Sequence, residues 1–183
     1  MSVGLREQLP TGVRRLVALG LALVLAVVTF IHLGSDANAA LWALVQVVLV
    51  ALAAIDATSH RLPNVITLPT AAAALLLRVV FERSELVEVI VAGSVTFGAF
   101  LLLSILTRGG LGMGDVKLAA MLGFLLGYKV LGALTVGVFV GGIWSAGLLL
   151  THRAGLRSTI AYGPFLALGG MFSILFASLP RLV

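Results

Sequence analysis

Seven apolar runs follow one another along the chain, at about residues 16–33, 39–56, 64–81, 86–107, 116–127, 130–150 and 161–179. Short polar stretches separate them. A bilayer-crossing helix needs roughly 20 predominantly apolar residues. The pattern therefore predicts an all-α polytopic membrane bundle of about seven helices. The fifth run is the odd one. Its dozen residues rise only about 18 Å as a helix. Either that helix starts below the membrane surface, or the preceding "GGLGMGD" (109–115) lies at membrane depth. Irregular backbone is tolerated there only when buried in protein or lining a wet cavity.

Composition agrees with the pattern. The 183 residues are 61% hydrophobic and 10% charged, with a mean hydropathy of +1.19. Soluble domains carry about 25% charged residues. The net charge of +5 is accounted for by basic cytoplasmic loops, without nucleic acid as a partner. The absence of cysteine excludes disulfides, iron–sulfur clusters, thiol catalysis and cysteine-based zinc sites. No soluble domain or linker interrupts the runs. The chain reads as one integral membrane domain, 1–183, with an extra N-terminal helix (1–38) and a helical core (39–183). A cleaved signal peptide is the rival reading of the first run, because Arg14 and Arg15 precede it and "DANAA" follows. The run exceeds the 7–15 apolar residues of such peptides, so a retained helix is expected.

Lysine and arginine set the orientation. With the N-terminus inside, the cytoplasmic face receives Arg6, Arg14, Arg15, Arg61, Arg108, Lys117, Arg153 and Arg157. The outer face receives Arg78, Arg83, Lys129 and Arg181. Eight against four favours this topology. Glu82, Glu85 and Glu88 then fall in an outer loop and read as a solvated turn.

Of the three aspartates, Asp36 falls in a polar loop. Asp56 closes the second run and Asp115 opens the fifth, both at the cytoplasmic side. A carboxylate at mid-bilayer costs on the order of 2.5–3.5 kcal/mol, and function is the usual reason to bear it. Two carboxylates held a few ångströms apart cannot both ionise easily, so one keeps a proton. The ionised member activates water and the protonated one polarises a carbonyl. Asp115 at a helix N-terminus suits the first role, and Asp56 at a C-terminus the second. Gly110, Gly112 and Gly114 leave room for an extended substrate backbone to approach Asp115. Helix packing is the alternative use of such glycines, and is the reading for Gly123, Gly127, Gly137 and Gly141. No phosphate-loop spacing is present.

These residues resemble a known family. "GMGDVK" (112–117) is similar to the GxGD motif of intramembrane aspartic peptidases, and specifically of type IV prepilin peptidases. "IDATSHRLPNVITLP" (55–69) resembles that family's first aspartate with its downstream basic residue and Pro-Asn pair. "YGPFLALGG" (162–170) resembles its Gly-Pro-Phe element. The resemblance brackets about residues 50–170. It implies an inner-membrane aspartic endopeptidase with Asp56 and Asp115 as the catalytic pair. Its partners would be prepilin or pseudopilin precursors and the lipid bilayer, with the pilus or secretion machinery indirectly. It implies neither cofactor nor metal. Larger members carry a cytoplasmic insert, often with paired Cys-x-x-Cys motifs, and also N-methylate the product. With no cysteine and no loop of that length, this chain is more similar to the short, peptidase-only members serving Tad/Flp-type pili.

Supporting residues have structural readings beside functional ones. Lys117 tunes Asp115, contacts substrate or snorkels to the interface. Arg61 binds an acidic substrate residue or serves the positive-inside bias. Pro63 and Asn64 start the third helix, and Gly163 and Pro164 shape the start of the last. A metal site from Asp56, His60, Asp115 and His152 lacks any recognised spacing. The competing function is a proton-coupled transporter or channel using the aspartate pair. It leaves "RLPNVITLP" and "YGPFLALGG" unexplained, and the runs show no inverted repeat.

Overall fold

The computed structural model describes residues 11–33, 37–59, 62–81, 83–107, 110–151 and 162–176. Among these there are seven α-helices and no strand: α1 (Thr11–Leu33), α2 (Ala37–Ser59), α3 (Asn64–Phe81), α4 (Leu86–Leu106), α5 (Met113–Leu126), α6 (Val130–Leu150) and α7 (Gly163–Phe176). Three segments are long and apolar enough to cross a membrane: Ala39–Ser59, Arg83–Leu106 and Met113–Gly147. The last is not one rod. Gly127 adopts φ 58°, which few residues other than glycine tolerate, and the turn Gly127–Lys129 separates α5 from α6.

Contacts between helix ends define the topology. At one end Lys117 Nζ donates to Asn64 Oδ1 at 2.9 Å, joining the starts of α5 and α3. Ser104 Oγ, near the end of α4, donates to the Leu111 carbonyl just before α5. At the other end the Tyr128 N–H donates to Glu88 Oε1 at 3.0 Å, joining the start of α4 to the α5–α6 turn. Ser173, late in α7, approaches the Lys129 carbonyl there at 3.4 Å. Hence α3, α5 and α7 run one way, and α4 and α6 run the other.

α5 is the central element. Val116, Leu118, Ala119, Ala120, Met121, Leu122, Gly123, Leu125 and Leu126 are all buried. It packs on α4, α3 and α7, while α1 and α7 cover α2. Small residues let backbones touch where helices cross. A Cβ on Gly123 would sit 2.7 Å from Gly93 Cα of α4, and one on Gly137 would sit 2.9 Å from the Phe165 carbonyl oxygen of α7.

Two residues depart from their sequence readings. Gly127 makes the turn rather than a packing contact. Glu88 is not simply solvated: its carboxylate satisfies an amide where the chain reverses. Glu88→Ala is therefore expected to lower stability by about 1–2 kcal/mol, the worth of a hydrogen bond to a charged acceptor. Thermal unfolding in detergent measures this, and an unchanged midpoint would remove the capping role.

Candidate active site

The inward stripe of α2 ends at an aspartate. Ala39, Trp42, Gln46, Leu49 and Leu52 recur every three or four residues and are buried, as the protein-facing side of a helix must be. Asp56 continues the stripe one turn later and is 5% exposed. The same spacing that buries Trp42 thus turns a carboxylate into the bundle.

Asp115 arrives from the opposite direction. Gly112 is extended (φ −68°, ψ 145°) and caps α5. Its carbonyl accepts the amides of Asp115 (3.0 Å) and Val116 (3.3 Å). Asp115 lies in the first helical turn, 8% exposed. The backbones of Gly112 and Gly163 border its carboxylate, with an added Cβ 3.5 Å from Oδ2 on the first and 3.3 Å from Oδ1 on the second. The positive end of the α5 dipole there complements negative charge.

The start of α7 completes the site. The Tyr162 carbonyl accepts the amides of Phe165 and Leu166. Pro164 sits in the first turn, where an N–H would have no intrahelical partner. Gly163 lies between the aspartates. A Cβ there would fall 2.5 Å from Asp56 Oδ2 and 3.3 Å from Asp115 Oδ1, so those two oxygens lie within about 6 Å of each other, near enough for like charges to couple. Tyr162 borders the pair. Its ring meets Phe165 edge-on at 6.1 Å. Burial, and then the Asp115 carboxylate, push its phenol above the ordinary tyrosine range.

The other candidates separate by position. A Cβ on Gly112 would be 3.5 Å from Asp115 Oδ2, an ordinary contact, so this glycine borders the carboxylate. The space beside Gly114 holds Leu62, whose Cβ would be 3.1 Å and whose backbone N would be 3.4 Å from an added methyl. What Gly114 admits is therefore the chain's own α2–α3 connection. Lys117 binds Asn64. The Pro63 carbonyl accepts the Ile66 and Thr67 amides and so opens α3. Arg61, His60 and His152 lie outside the described residues. Among the described residues no group of three His, Cys, Asp or Glu side chains is placed to hold a metal ion.

Two supporting residues were not read from sequence. Gln46, 0% exposed, donates through Nε2 to the Met171 carbonyl at 3.3 Å and ties α2 to α7. A lone amide within an apolar run was the available signal. Ser104 gave none, because its partner lies beyond the end of its own helix.

Together these features define an all-helical membrane protein with two buried carboxylates, from separate helices, meeting at one end of the bundle. Residues 42–146 match the type IV leader peptidase family, and the chain belongs to that family. It is 38% identical over 136 residues to a prepilin leader peptidase/N-methyltransferase of Dickeya chrysanthemi, covering 69% of this chain and 47% of that protein. A protein of the same name from Bacillus subtilis is 37% identical over 81 residues, 42% of this chain and 33% of that one. One from Escherichia coli is 31% identical over 131 residues, 67% of this chain and 57% of that one. The chain thus spans about half the length, or less, of the first curated relatives it matches. No solved structure matches it.

Proposed function

We propose that this chain is an aspartic endopeptidase that removes the leader from type IV prepilin or pseudopilin precursors at the cytoplasmic face of the inner membrane. The observation that carries this reading is the convergence of Asp56 and Asp115 around Gly163. Asp115, in the first turn of α5, takes a proton from water. The resulting hydroxyl adds to the scissile carbonyl carbon, while Asp56 gives its proton to the carbonyl oxygen. Collapse of the tetrahedral intermediate moves the proton held by Asp115 to the leaving nitrogen as the C–N bond breaks, while Asp56 takes back a proton from the hydroxyl that becomes the new carboxyl carbonyl. No metal or cofactor enters these steps. The reading covers cleavage alone, and its support beyond geometry is family membership and the peptidase names of the relatives.

Co-expression with a candidate prepilin tests it, scored by a mobility shift. Cleavage by purified protein in detergent, with no gradient present, separates a peptidase from a proton-coupled transporter. The orientation has its own test. A reporter fused after Arg61 or Arg108 should report cytoplasm, and one after Glu85 the outside. The reverse pattern would put the pair on the wrong face for this substrate.

A further inference from the structure

Hydroxyls in membrane helices ordinarily turn back to a carbonyl of their own helix, because no water is at hand. Thr29, Thr70, Thr96, Thr135 and Ser145 each do so, four residues back. Ser104 does not. Buried to 8% exposure, it reaches forward out of α4 and donates to the Leu111 carbonyl at 2.8 Å.

The Leu111 carbonyl belongs to the same peptide unit as the Gly112 N–H. A peptide unit is planar, and in its trans form these two groups point to opposite sides. Gly112 borders the Asp115 carboxylate, with an added Cβ 3.5 Å from Oδ2. The same Gly112 caps α5: its carbonyl accepts the Asp115 amide at 3.0 Å and the Val116 amide at 3.3 Å.

We infer that Ser104 is a positioning residue for Asp115: by gripping the carbonyl side of the Leu111–Gly112 peptide, it fixes the backbone from which Gly112 caps the first turn of α5 and borders the carboxylate. The glycine-flanked stretch 110–112 needs such a grip. Within it, Gly110 is held to Thr107 by one backbone bond, and no side chain on Gly110 or Gly112 can pack to fix the peptide plane. This role rests on the leader-peptidase reading for its kinetic consequence, but the geometry it asserts is independent of substrate.

The test uses the full chain in detergent, with Ser104→Ala and the near-isosteric Ser104→Cys, whose thiol is a weak donor. Cleavage of a prepilin should show kcat reduced about tenfold with KM within about twofold, the scale of one lost hydrogen bond acting through geometry. Amide exchange over Leu111–Asp115, read by mass spectrometry without substrate, should quicken about tenfold in both variants. Unchanged kcat, a change confined to KM, or unchanged exchange would each overturn the role. If the wild-type chain cleaves no prepilin, the leader-peptidase reading fails, and the exchange measurement alone then decides for or against Ser104.

Discussion

Asp56→Asn and Asp115→Asn are each expected to abolish leader cleavage while the protein still inserts and accumulates. Asparagine nearly matches aspartate in shape and keeps a carbonyl oxygen that can accept a hydrogen bond. It can neither take a proton from water nor give one to a carbonyl oxygen. General acid–base catalysis contributes about 10²–10⁴-fold, so each single variant should lose at least about 100-fold. The double variant should be little worse than either, because a pair that works as a unit is lost with its first member. The measurement is the fraction of co-expressed prepilin processed, with the amount of folded peptidase determined in parallel. Near wild-type processing by either variant would end the two-aspartate mechanism.

Gly163→Ala is expected to have an effect of similar size by a different route. The added methyl would lie 2.5 Å from Asp56 Oδ2 and 2.9 Å from Asp56 Cγ. Those atoms are the far end of a side chain, so they can swing aside at small cost to the fold. The reacting geometry has no such freedom: a misplacement of about 1 Å can cost about 100-fold in rate. Cleavage should therefore collapse while thermal stability changes little. Gly142→Ala is the control, since nothing lies within 4 Å of its added methyl, and it should cleave like wild type. Equal cleavage by both variants would show that Gly163 does not set the spacing of the pair.

Much of this arrangement was legible in the chain itself. A carboxylate at the edge of an apolar run is expensive and therefore conspicuous, and Asp56 and Asp115 stood out for that reason. The helices were legible because apolar length is what a bilayer demands. Which helix lies at the centre was not, because a lipid-facing side and a protein-facing side are both apolar. The burial of α5 on almost every side left no trace in its periodicity. Glycines were the hardest to read. Gly127, Gly137 and Gly163 look alike in sequence, yet one turns the chain, one admits a neighbouring backbone and one makes room for two carboxylates. Gly141, read as a packing glycine, packs against the rings of Tyr162 and Phe165 beside the site. Ser104 was invisible because its bond reaches out of its helix into irregular backbone, which no local pattern encodes.

The fourteen residues of α5 rise about 21 Å, against a hydrocarbon thickness near 30 Å. A helix facing lipid would meet that mismatch by tilting or by thinning the bilayer around it. α5 is enclosed by other helices and has little lipid to match. The position of Asp115 is set by the helices around α5, among them α4, where Gly123 crosses directly on Gly93. In membranes of longer or shorter acyl chains, the outer helices are expected to absorb the change, leaving the aspartate pair fixed relative to the protein rather than to the bilayer midplane.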